Sequence, residues 1–202
     1  MKIKGTRIVI DKLRVEDVFA MRNWGNHENP LLEDYDFPDM NDHEIKIWHR
    51  MKTSNPLDRY FSIKDNDGIL IGYMGMKSIK IFRRFSTLGL VLDPAKMNQG
   101  YGTEVLEVFL SKYFTEMKMK KMILEVSAFN KRAYRLYEKM GFKKNYMYKE
   151  EFFDQYLNFS DPYYQDEKDS FEIIDGKLYN YIYRMTLTKK RFLELQETGF
   201  RI

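Results

Sequence analysis

Apolar and polar positions along the chain recur in two rhythms, one of two residues and one between three and four, and each change of rhythm predicts a new element. The stretch TRIVI, from Thr6, reads as a strand, and Val15, Val18, Phe19 and Met21 to Trp24 follow at helical spacing. Asn41 with Glu44 three positions on fits a capping box, and Ile45, Trp48 and Met51 then track one side of a second helix. Two strands flank Asp65-Asn66-Asp67-Gly68, where Asp-Gly supplies the left-handed turn of a tight hairpin. TLGLVLDP is a further strand, stopped by Pro94. Beyond it Val105, Leu106, Phe109, Leu110, Tyr113, Phe114 and Met117 form a face as wide as a core-facing helix requires.

KMILEV, from Lys121, is a short apolar strand, and the next helix has Asn130 fit to cap it and Gly141 fit to end it. Alternation of strand and helix through this region predicts parallel pairing with right-handed crossovers. From Tyr148 to Lys177 the rhythm dissolves into an aromatic, acidic segment. LYNYIYRMTLT then reads as a strand and KKRFLELQETG as a terminal helix capped by Thr188.

Composition narrows the class. With 202 residues, 44% of them hydrophobic and 16% aromatic, the chain suits a single domain spanning 1–202, with 148–177 as an insertion and 178–202 as a closing strand and helix. No run of about eighteen apolar residues occurs, so a membrane span is not expected. The start MKIKGTRIVIDKL lacks a long apolar leader core, and there is no Cys, which together make a cytoplasmic protein the expectation. A net charge of +4 on 34 Lys plus Arg does not call for a nucleic-acid partner.

Two places carry chemistry. Gly100 and Gly102 stand between a strand and the start of a helix, where free backbone N–H groups and the positive end of the helix dipole gather. Such a turn binds phosphate, although glycines also occur there for steric reasons alone. Neither Gly-Lys-Ser/Thr nor a third glycine with a distant acid is present, which sets aside nucleoside-triphosphate and dinucleotide folds. The second place is Glu125, inside the apolar run ILEVS, where burial would raise its pKa toward the range of a general base. An ion pair with a lysine would explain it equally. Tyr137, twelve residues on, either supplies a proton from the same cleft or packs in the core beside Tyr134 and Leu136. His27, His43 and His49 lack ligand spacing, so no metal is expected and the three read as surface or satisfied core residues.

VLDPAKMNQGYGTEVLEVFL and LEVSAFNKRAYRLYEKMGF together resemble the acyl-CoA signature of the GNAT superfamily of N-acetyltransferases, especially its bacterial ribosomal-protein N-terminal branch. The resemblance spans roughly Thr6 to Phe142 and implies an α/β fold, a mixed central sheet flanked by helices, with acetyl-CoA lodged where the strands around Leu92 and Val126 diverge. On this likeness Leu90, Val91 and Leu92 offer backbone groups to the pantetheine arm and thioester, and Gln99, Gly100, Tyr101, Gly102 and Thr103 cradle the pyrophosphate. Asn130 hydrogen-bonds the cofactor arm, Tyr137 protonates the departing thiolate, and Glu125 is the base. Met97 departs from the family's usual Arg or Gln three residues before the turn, which removes one side-chain contact to the pyrophosphate and leaves the backbone cradle.

The reaction so implied is N-acetylation of a primary amine, with a non-catalytic acyl-CoA sensor as the alternative. Charge placement bears on the acceptor. Residues 112–149 hold eleven Lys or Arg against three Glu, while 28–44 hold seven acids and no Lys or Arg, and 150–177 hold nine acids and two Lys. Interleaved with the last group are Phe152, Phe153, Tyr156, Phe159, Tyr163, Tyr164 and Phe171. An acidic, aromatic mouth suits a small cationic amine ahead of a protein N-terminus, while solvated surface or a homodimer contact would account for the same acids.

Overall fold

A computed structural model of the chain describes residues 2–198, the side chains of residues 162 and 163 apart. Gly199 and the Tyr163 ring, both used in the reading above, lie outside the described residues.

The order of elements follows the two rhythms closely. Strands β1 (Ile3–Lys4) and β2 (Ile8–Lys12) precede α1 (Val15–Ala20) and α2 (Asp42–Thr53). Then come β3 (Arg59–Asp65), β4 (Leu70–Lys80), β5 (Phe85–Leu92), α3 (Tyr101–Thr115), β6 (Lys121–Ser127) and α4 (Lys131–Lys139). The chain continues with β7 (Lys143–Glu151), α5 (Pro162–Gln165), β8 (Phe171–Ile174), β9 (Lys177–Thr188) and α6 (Lys189–Glu197). Asn41 caps α2 as expected, its Oδ1 accepting from the N–H groups of His43 and Glu44 at 2.9 and 3.1 Å.

One sheet runs in the order β1-β2-β3-β4-β5-β6-β9-β7, with β8 also paired to β9. The meander from β1 to β5 is antiparallel, and β5 and β6 are parallel, the crossover being α3. This is the parallel pairing that the alternation of strand and helix predicts. β9 enters between β6 and β7 and is antiparallel to both, so the strand after α4 never touches β6. β7 itself occupies the first part of the region read as patternless, and β8 the last part.

Alternation along β4 sorts the two faces. Met74 and Met76 enter the main core with Phe109, Tyr113 and Phe114 of α3 and Phe192 of α6, while Tyr73, Gly75 and Lys77 turn to the other side. That other side carries a smaller core of Leu13, Val18, Met21, Ile45 and Leu70 under α1 and α2. A third cluster joins Leu31, Phe129, Phe152, Phe171 and Leu178. Among the described residues no helix is long and apolar enough to cross a membrane.

Candidate active site

Pairing of β5 with β6 stops at Leu88 and Leu124, although both strands continue, to Leu92 and Ser127. Past that point the two strands part, and the β5 backbone groups aimed at β6 have no strand partner. The gap opens into a cavity of about 430 Å³ lined by residues of α2, β3, β4, β5, β6, α4 and the loops after α1 and β5. Leu90, Val91 and Leu92 all line it.

The glycine turn closes one end. Gly100 has φ +82°, the left-handed region, and stands as the residue before the first turn of α3 with no side chain to cap it. The helical ladder begins only with Glu104 N–H to the Gly100 carbonyl at 3.2 Å, so the N–H groups of Tyr101, Gly102 and Thr103 lack a helical acceptor. A Cβ on Gly102 would lie 3.0 Å from Cδ2 of Leu136 on α4, so the steric reason for this glycine is real and coexists with the phosphate-binding one. Gly100, Gly102 and Thr103 line the cavity. Gln99 and Tyr101 face Arg7 instead: the Gln99 carbonyl accepts from Arg7 Nη1 at 3.0 Å, and the guanidinium lies 4.7 Å from the Tyr101 ring centre. Met97 lines the cavity at the position where the family usually has Arg or Gln.

Asn130 caps α4 through Oδ1, which accepts from Ala133 N–H at 3.1 Å; its Nδ2 is left to donate. Tyr137 lies about two turns later, buried against Phe142 and lining the cavity. Burial, and then nearby Tyr35, push its phenol well above the ordinary tyrosine value, so it stays protonated at neutral pH. Glu125 also lines the cavity, yet it is exposed, and the burial on which its expected role as a strengthened base rested is absent. It stands across the ladder from Arg184. Beside it Tyr148 has its phenol pushed up by partial burial and by the carboxylates of Glu125 and Glu150.

Several lining residues escaped the sequence reading. His27 and Tyr35 come from the loop between α1 and α2; Lys52, Tyr60 and Lys77 come from α2, β3 and β4. Burial first, and Lys77 second, push the Lys52 ammonium below its ordinary pKa. A second pocket of about 190 Å³ adjoins the first, sharing Tyr35, Tyr73 and Val91 with it. Four of its walls are rings in a closed circuit: Trp24 to Phe37 at 6.4 Å, Phe37 to Trp48 at 6.1 Å, Trp48 to Tyr73 at 5.4 Å and Tyr73 to Trp24 at 6.2 Å. Asp34 and Asp36 complete it.

Three of the nine acids of 150–177 are paired with lysines. Glu151 pairs with Lys177 at 3.0 Å, Glu167 with Lys131 at 3.0 Å and Glu172 with Lys149 at 2.8 Å. Phe152 and Phe171 pack on Phe129 in the third cluster, with Phe159 beside them. Phe153 and Tyr156 are exposed.

A family model for the GNAT acetyltransferase domain matches residues 7–143. Spermidine N(1)-acetyltransferase of Vibrio cholerae is 23% identical over 148 residues, 73% of this chain and 86% of that protein. Among solved structures, the spermidine N-acetyltransferase of Vibrio cholerae in complex with CoA and spermine superposes with a TM-score of 0.69 at 20% identity, over 94% of this chain and 99% of that one. A dodecameric structure of the same enzyme in an intermediate state gives 0.66 at 20% identity, over 94% and 98%. The parted β5 and β6, the uncapped glycine turn and a match over more than half of the chain agree: it belongs to the GNAT acetyltransferase family and is an N-acetyltransferase that draws its acetyl group from acetyl-CoA.

Proposed function

We propose that the acceptor is a primary amine of a small polycationic molecule of the polyamine kind. The observation that carries this reading is the ring-walled pocket with Asp34 and Asp36 beside the cavity. An ammonium set against aromatic faces and a carboxylate gains about 0.5–2 kcal/mol per good contact. The spermine held by the Vibrio cholerae structure supports the same class of acceptor.

The remaining roles follow from position. Backbone groups of Leu90, Val91 and Leu92 receive the pantetheine arm and polarise the thioester, the N–H groups from Gly100 to Thr103 hold the pyrophosphate, and the Asn130 amide donates to the arm. Tyr137 gives its proton to the departing sulfur. Glu125, exposed at the cavity, draws the ammonium in by its charge. A panel of spermine, spermidine, amino sugars and a peptide with a basic N-terminus, read by release of CoA, tests the proposal. The polyamines should be preferred. Preference for the peptide would overturn the acceptor class, and tight acetyl-CoA binding with no amine accepted would make the protein a sensor.

A further inference from the structure

We propose that His27, held by Asp36, is the base that takes the proton from the acceptor amine, a step that rests on the amine-acetylating reading above. Asp36 ends the short 3-10 helix Pro30–Tyr35, and its two carboxylate oxygens accept from the backbone N–H of His27 at 3.0 and 3.1 Å. The same carboxylate meets Nδ1 of the His27 ring in a short contact. The two backbone bonds tie His27 to Asp36, and the ring contact orients the imidazole: in the neutral ring the proton sits on Nδ1 and the lone pair on Nε2. Only 6% of the His27 side chain and 14% of the Asp36 side chain are exposed.

Nε2 has no hydrogen-bond partner among the described residues, and no fully buried side-chain polar atom there is left unsatisfied, so this nitrogen keeps access to solvent. His27 lines the acyl-transfer cavity together with Glu125 and Tyr137. The ring centre lies 6.5 Å from that of Tyr35, whose hydroxyl is 3.2 Å from Oγ of Ser127, two residues beyond Glu125 on β6. A structural histidine would have its second nitrogen bonded or in bulk water; this ring is nearly buried, belongs to the cavity wall and has no partner at Nε2 among the described residues. An imidazole, unlike an exposed carboxylate, ordinarily titrates near neutrality and accepts an amine proton without help from burial.

The step balances. The acceptor ammonium gives one proton to Nε2, and the freed lone pair forms a C–N bond to the acetyl carbonyl carbon. The C–S bond then breaks, and the sulfur takes the Tyr137 phenol proton. The proton that the new amide nitrogen sheds restores the phenol through water, and the imidazolium returns its own to solvent. Asp36 touches no reacting atom and is a positioning residue.

The test uses the full chain with the best amine of the panel. His27→Ala should lower kcat by roughly a hundredfold to ten-thousandfold, the usual worth of a general base, while calorimetry finds acetyl-CoA affinity unchanged. Added imidazole should restore part of the rate. His27→Asn, which keeps a donor for Asp36 and so guards against loss of the loop, should show the same deficit. Asp36→Asn should lower kcat by itself yet add nothing on top of His27→Ala, since a positioning residue without its base has nothing to position. A His27→Asn enzyme within a few-fold of the original kcat, a deficit that imidazole leaves untouched, or an additive Asp36→Asn effect would each overturn the assignment. Those outcomes, seen with an amine that the unmodified protein acetylates, leave the acceptor class standing; a protein that releases CoA with no amine sinks both.

Discussion

The glycine turn and the loop from Trp24 to Met40 face each other across one cavity and are built in opposite ways. At the turn the functional groups are backbone N–H donors, and what positions them is a left-handed Gly100 and a helix start. In the loop the groups are side chains brought together from separated places: His27 to Asp36, Tyr35 to Ser127, Trp24 to Tyr73. Function vested in the backbone leaves a spacing in the sequence, because only certain residues permit the geometry. Function vested in converging side chains leaves almost none, because no fixed period relates the partners. Asp93 joins the two regions, its Oδ1 accepting from Ala95 N–H at 2.9 Å in the turn and from Gly25 N–H at 3.0 Å in the loop.

The largest expected effect lies between the two regions. Tyr137→Phe should lower kcat by roughly a hundredfold or more while acetyl-CoA affinity changes little, measured by steady-state rates beside calorimetry. Because burial holds this phenol above the ordinary tyrosine pKa, the rate should not decline through its ionisation until the pH is well above 10. A Tyr137→Phe enzyme with full kcat would make that ring a packing residue.

On the backbone side, Gly100→Glu should weaken acetyl-CoA by roughly a hundredfold. That corresponds to about 3 kcal/mol from strain at a left-handed residue and a carboxylate set against phosphates. Unchanged affinity in a folded variant would remove the turn from the site and erase the contrast drawn above.

Smallest should be the loop's exposed charge. Asp34→Asn removes the one acid of the ring-walled pocket that is not engaged with His27, and should raise the acceptor KM about twofold to fivefold, as exposed charges do. The KM of the unmodified protein should rise with salt in the same direction. Indifference to both would mean that the rings, not the charge, recognise the amine.

How much of this was legible follows the same division. The β5–α3–β6 unit was readable because Leu88, Leu90 and Leu92 face one way, and α3 shows an apolar face of Val105, Leu106, Phe109, Leu110 and Tyr113. β7 was not, since KKNYMYKEE is exposed at nearly every position on the sheet's edge and shows no alternation. Nothing local announces that β9, some thirty residues beyond the start of β7, will claim the place beside β6. Glu125 was misjudged in burial: Leu124 and Val126 beside it enter the main core, while Glu125 itself is exposed and lines the cavity. The sequence reading dismissed His27 for lacking metal spacing. The signal it missed was Asn29-Pro30, a helix start that predicts a short turn of helix and so brings the residues at its two ends, His27 and Asp36, within reach.

Leu31 is the loop's buried anchor in the third cluster, and its companions there come from Phe129, Phe152, Phe171 and Leu178, none of which belongs to the main core. The molecule therefore has two grades of permanence. The elements proposed to receive acetyl-CoA are locked into the large sheet core, whereas the loop from Trp24 to Met40 is held by the third cluster through Leu31 and by the smaller core through Trp24, Phe37 and Met40, and its amides should exchange sooner. The segment between β7 and β9 supplies much of that cluster, so insertions or substitutions there alter which amines are admitted while the machinery that activates the thioester stays as it is.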